Sequence, residues 1–241
     1  MAAAAAAGHR VVLVVATKGE HGEVAPGFLD DDEHLWERRV AETHESAKIL
    51  GVSRVEFLGY TDSGMVDTET NHHPGSFWSA DVDQAAQLLA DILIEEHTDI
   101  LTVYDDHGNY GHPDHIQVHR VGVRAAELAN TPAVYQATMN RDYLRNMLSA
   151  IAGQEGEGGP RIDDIEGLGL PEAELTHRVD VTEFIEVKRA SMRAHASQIN
   201  EQSFFLSMPD EIFAMSFGIE WFAHYGDPRR SGDWKTSLFE N

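Results

Sequence analysis

Tyr110-Gly-His-Pro-Asp-His115 gathers a phenol, two imidazoles and a carboxylate within six residues. Imidazole and carboxylate are the side chains that bind metal ions and move protons near neutral pH, so the cluster is a candidate metal or acid/base site. It follows a strand-like run at 100–104 across the loop Asp105-Asp-His-Gly-Asn109, and it leads into a helical pattern that begins at Pro113. In open α/β sheets that hand-over, at the carboxyl edge of a strand, is where ligands bind. Proline at the first helical position presets the turn, and Asp114 falls in the first turn, where the helix dipole favours a negative charge. The chain holds 14 His in 241 residues, and His-Pro-Asp is also an ordinary helix start, so a purely structural reading stands beside the chemical one.

The elements that must position this segment alternate. Short β-branched or apolar runs at 11–16, 54–58, 100–104 and 133–138 read as buried strands. Between them, 31–50, 80–96 and 113–129 read as helices. In the second helix Val82, Ala85, Ala86, Leu89, Ile92 and Leu93 share one face by their three-and-four spacing. Such alternation predicts an α/β fold, a doubly wound and mainly parallel sheet with helices on both faces. The alanine run before Gly8 reads as the end of a helix. Past residue 150 the pattern loosens: 153–160 reads as a flexible charged loop that could border a substrate mouth, and 182–199 as a helix with Thr182 as its N-cap. The tail, 201–241, rich in Phe and Trp, is expected to pack over the sheet. A single domain spanning 1–241 accommodates all of this.

Composition limits the chemistry. There is no cysteine, which excludes disulfides and thiolate ligands, so a metal here would use His and carboxylates. Eighteen basic against 41 acidic residues leave a net charge of −23, which disfavours nucleic acid and anionic membrane as partners. No stretch approaches the ~20 apolar residues of a membrane span. The start lacks the basic and apolar regions of a signal peptide, and the cytoplasm is the expected location.

Several motifs together resemble the LmbE-like (PIG-L) family of zinc-dependent N-acetylglucosaminyl deacetylases. They are Gly8-His-Arg-Val-Val-Leu-Val-Val-Ala-Thr-Lys-Gly-Glu-His-Gly22, Arg39-Val-Ala-Glu42, Leu50-Gly-Val52, Phe57-Leu-Gly-Tyr-Thr-Asp-Ser-Gly-Met65, Pro74-Gly-Ser-Phe77, the 110–115 block and His195-Ala-Ser-Gln198. The resemblance covers most of the chain and implies a Rossmann-like sheet. One departure is large. Family members open with a strand carrying His-Pro-Asp-Asp-Glu, which gives the zinc a His and an Asp and supplies an Asp as general base, whereas this chain opens with Met1 and six alanines and contains no His-Pro-Asp-Asp. Of the family's three zinc ligands the match retains one. Either the sequence is an N-terminally truncated version of an ordinary enzyme, or a shortened protein has lost its metal chemistry. The first is expected, because a doubly wound sheet without its first strand would expose two neighbouring edges in its middle.

The resemblance implies roles. His115 is the retained zinc ligand. His112 lies beside the metal without binding it and stabilises the tetrahedral oxyanion or protonates the leaving amine. Asp114 is the partner that fixes a histidine tautomer, and Tyr110 donates a hydrogen bond to the substrate carbonyl. Glu20, Arg39 and Asp62 recognise the sugar and its aglycone, and His195 has no assigned role. The implied reaction is zinc-assisted hydrolysis of the acetamide of an N-acetylglucosaminyl glycoside such as N-acetylglucosaminyl-inositol or a related thiol conjugate, giving acetate and free amine. Three other readings remain open at this point: a sugar-binding homologue without metal chemistry, an all-histidine metal site from His107, His112, His115 and His119, and a nucleotide-binding domain. The last is disfavoured by the lack of a Gly-x-Gly-x-x-Gly turn.

Overall fold

The computed structural model describes residues 1–25, 27–151, 165–226 and 234–239. The predicted loop at 153–160 lies outside them. The chain divides into two compact units, each assembled from separate segments. Among the described residues no helix is long and apolar enough to cross a membrane.

The first unit holds helix α1 (Ala2–Ala6), strand β1 (Val12–Val15), helix α2 (Leu35–Ile49) and strand β2 (Arg54–Phe57), with α7 (Ile185–Ala194) and α8 (Asp210–Phe217) from later in the chain. Strands β1 and β2 pair in parallel, Val12 opposite Arg54 through Val15 opposite Phe57. The alanine run is helical as its propensity dictates, and Gly8, at φ +89°, turns the chain out of it. Helix α2 begins at Leu35, not Asp31, because Glu37 Oε2 accepts the His34 N–H and closes the first turn there. The predicted helix 182–199 is shorter. Thr182 is not its N-cap; its N–H instead donates to Asp180 Oδ1 at 2.9 Å, residues Thr182–Phe184 form a 3-10 turn, and α7 ends at Ala194 where His195 leaves helical geometry.

The second unit holds helix α3 (Val82–Glu95), strand β3 (Ile100–Tyr104), the one-turn helix α4 (Gly108–Gly111), helix α5 (Pro113–Ala129), strand β4 (Ala133–Thr138), helix α6 (Arg141–Ile151), and strands β5 (His177–Asp180) and β6 (Ile219–His224). Its sheet runs β3-β4-β6-β5, with β3 and β4 parallel and β6 antiparallel to β4. The sheet is therefore mixed, and part of the aromatic tail enters it as β6 instead of lying over it. Asp81 caps α3 by accepting the Gln84 N–H, and the α3 face of Ala85, Ala86, Leu89, Ala90 and Leu93 is buried. Val103 of β3, Ala126 of α5 and Val134 of β4 form one apolar cluster, backed by Leu101 and Val118. This cluster fixes α5 on the strand whose end carries the chemistry.

Strands β5 and β6 each carry an imidazole, His177 buried and His224 half-buried. His177 is fully buried against the ring of Tyr135, with its Nδ1 2.8 Å from Thr176 Oγ1, and His224 packs on the same tyrosine. Burial, with Lys235 and His224 adding like charge, pushes the His177 pKa down to about 4. Its folded-state value lies below its unfolded one, so the unfolded chain binds the extra proton between pH 6.5 and 4. The stabilisation is complete above pH 6.5 and is lost as the pH falls through 4, by about 3 kcal/mol at ~1.4 kcal/mol per pH unit. Denaturant titrations at pH 7 and pH 4.5 should show this fall in the parent and a flatter profile in His177→Gln.

Candidate active site

The 110–115 segment sits where β3 gives way to α5. His112 is the N-cap of α5, and its Nδ1 accepts the Asp114 N–H at 3.1 Å. Pro113 follows in the first turn. An imidazole that accepts at Nδ1 carries its proton on Nε2, so His112 offers a neutral N–H donor. His115 is the complement. Its Nδ1 lies 3.3 Å from the Gly108 carbonyl, which can only accept, so the proton is on Nδ1 and the lone pair on Nε2. A ring held by a main-chain carbonyl at one nitrogen is set to ligate through the other.

Aromatic packing holds these rings. Tyr104 stacks on His115 with centroids 3.9 Å apart and planes 7° from parallel, and Tyr110 meets His115 edge-on at 5.1 Å. The two histidine rings lie 4.9 Å apart. Burial, with Tyr110 adding, pushes the Tyr104 phenol up to about 12, so it is a neutral packing partner at physiological pH. Tyr110 is half-exposed and Asp114 is buried. The Asp114 main chain meets His112, and the Gly108 carbonyl meets Nδ1 of His115. His119, the fourth histidine of the all-histidine reading, turns its Nδ1 to the Tyr104 carbonyl at 3.0 Å. Among the described residues no group of three His, Asp or Glu is placed to hold a metal ion. That reading has no geometric support, and His115 by itself does not make a zinc site.

Within the first unit the three predicted substrate residues come together. Glu20 Oε2 accepts the Asp62 N–H at 2.9 Å, and Asp62 accepts from Gly64 N at 2.9 Å and His21 N at 3.3 Å. Arg39 is buried and donates to the Gly19 carbonyl at 2.6 Å and the Glu23 carbonyl at 3.4 Å. It threads the loop so tightly that a Cβ on Gly22 would lie 2.1 Å from both terminal guanidinium nitrogens. Burial draws the Arg39 pKa down, opposed by Asp62, Glu42 and Glu20. Arg39 thus shapes the loop that carries Glu20, while each carboxylate keeps acceptor capacity beyond its main-chain bonds.

Residues the sequence reading left without a role complete both arrangements. Glu42 accepts from Ser197 N at 2.7 Å and Ser197 Oγ at 2.6 Å, all buried. The His195–Gln198 motif therefore ends α7 and clamps it to α2. His195 has its pKa lowered, by burial first and by Arg39, against the pull of Glu42. In the second unit Asp105, fully buried, accepts from Asn109 N at 2.6 Å and from the Thr138 hydroxyl. Its place directly after β3 was a signal available in the sequence.

The geometry places an imidazole pair at the carboxyl end of a parallel strand of an α/β unit, where ligands bind, and comparison with known proteins gives the family. The model of the family "PIG-L: GlcNAc-PI de-N-acetylase" matches residues 1–126. The chain is 38% identical over 254 residues to a 1D-myo-inositol 2-acetamido-2-deoxy-alpha-D-glucopyranoside deacetylase of Thermomonospora curvata, covering 95% of this chain and 85% of that one. It is 38% identical over 270 residues to the protein of the same name from Streptomyces avermitilis, covering 100% and 90%. Among solved structures, the deacetylase-bog complex of the teicoplanin biosynthesis pathway superposes with a TM-score of 0.59 at 18% identity, over 92% of this chain and 89% of that one, a likeness of fold. The chain belongs to the PIG-L (LmbE-like) deacetylase family, whose members are zinc-dependent.

Proposed function

We propose that this protein hydrolyses the acetamide of an N-acetylglucosaminyl-inositol, releasing acetate and the free amino sugar, and that 1–241 acts as one catalytic domain. The observation that carries the reading is the 38% identity to inositol glycoside deacetylases across 95% or more of the chain. The family match runs through segments of both units, which supports the single-domain reading.

The hydrogen bonds support a role for each residue. His112, with its proton on Nε2, donates to the amide oxygen as it gains charge in the tetrahedral intermediate, the point at which a placed donor acts most strongly. The half-exposed Tyr110 hydroxyl is a second donor to that oxygen. Asp114 holds His112 through its main chain and places its carboxylate in the first turn of α5. His115, with its lone pair on Nε2, is the residue proposed to ligate the family's zinc. Glu20 and Asp62 accept from sugar and inositol hydroxyls, and Arg39 holds the loop that presents Glu20.

Amine release measured across a panel tests the substrate. With zinc supplied, kcat/KM for N-acetylglucosaminyl-inositol should exceed that for free N-acetylglucosamine or N,N'-diacetylchitobiose by about tenfold or more, ~1.4 kcal/mol of transition-state discrimination. Equal values would remove inositol from the reading.

A further inference from the structure

We propose that Asp105 is a positioning residue for His115: its buried carboxylate locks the 105–109 loop so that the Gly108 carbonyl selects the His115 tautomer. The proposal deepens the functional reading above and rests on His115 being the ligating imidazole there. Asp105 is fully enclosed at the end of β3. One oxygen takes the Asn109 N–H at 2.6 Å and the other takes the hydroxyl of Thr138, the last residue of β4. Its main-chain carbonyl takes the Gly108 N–H at 3.0 Å. These bonds tie the two ends of the five-residue loop to each other and to the end of β4.

The locked loop is not a relaxed one. Asn109 sits at φ +67°, ψ −65°, a strained conformation for a non-glycine residue that persists only where its surroundings impose it. Asp105 holds its N–H, and the Gly169 N–H donates to its carbonyl at 3.0 Å. Gly108, at φ +70°, lies against the start of α5 so closely that a Cβ would come within 2.9 Å of the Ile116 nitrogen. The outcome of both distortions is the Gly108 carbonyl facing His115 Nδ1. Without the Asp105 lock Asn109 relaxes, that carbonyl turns away, and His115 reverts to the Nε2–H form that imidazoles prefer in water, which places a proton where the lone pair is needed.

Long-range proton–nitrogen correlation spectra of the histidine rings read the tautomer directly, with the His115 signals assigned by their absence in His115→Gln. The metal-free parent should show His115 as Nδ1–H. Asp105→Ala should move the majority of the population to Nε2–H, Thr138→Val a detectable minority, and Asp105→Asn, which keeps an acceptor for Asn109, should resemble the parent. An unshifted His115 in folded Asp105→Ala overturns the proposal, and if that variant does not fold, an unshifted His115 in Thr138→Val does so. Turnover separates this idea from the one beneath it: a shifted tautomer at undiminished kcat upholds the positioning role and removes His115 from the reaction.

Discussion

Where the protein is loaded with zinc, His115→Ala is expected to lower both bound zinc and deacetylation to background, whereas His112→Ala keeps the parent's zinc content and loses ~100-fold or more in kcat, the usual scale for a placed donor. The division follows from the two tautomers. His115 has its proton on the Gly108 side and its lone pair on Nε2, while His112 accepts at Nδ1 and donates from Nε2. Because His112 is also the N-cap of α5, alanine there costs about 1 kcal/mol of stability apart from any chemistry. His112→Asn separates the effects, since asparagine is a favoured cap and should restore the melting temperature without restoring the rate. If His112→Ala loses zinc as fully as His115→Ala, the assignment of roles is wrong.

Glu42→Ala should lower stability by about 3 kcal/mol, the scale for leaving buried donors without their charged acceptor. Both carboxylate oxygens are engaged by Ser197, 155 residues away in sequence, and Glu42 is one of the carboxylates facing the buried Arg39 charge. Removing it leaves the Ser197 N–H and hydroxyl in a closed interior and strips Arg39 of a partner. Denaturant unfolding measures the loss, and Ser197→Ala, which keeps the main-chain donor, should lose less. Equal stability of Glu42→Ala and the parent would show that the pair contributes nothing.

Strand β3, helix α5 and strand β4 have the bounds the sequence predicts, because each is a clean apolar or three-and-four pattern closed by a local stop: Pro113 at one end of α5 and the left-handed Asn130 at the other. The same local signals made the 110–115 cluster legible. Strand β6 was not, because Ile219-Glu-Trp-Phe-Ala-His224 breaks polar–apolar alternation and its partner β4 lies far back in the chain. Helix α7 ends at Ala194, short of the predicted 199: nothing in residues 195–199 forbids helix, and the turn there is fixed by Ser197 reaching Glu42. The position of Asp105 after β3 is legible in the sequence, but its partners are not. Its role depends on Thr138, 33 residues on, and on a strained Asn109 that no propensity announces.

Proton NMR of the substrate's N-acetyl methyl group tests the central claim most directly. The protein, supplied with zinc and N-acetylglucosaminyl-inositol, should convert that signal quantitatively into free acetate while the glycosidic proton of the product amino sugar stays intact. An acetyl signal that persists unchanged while the glycoside binds would contradict the account and leave a sugar-binding homologue in its place.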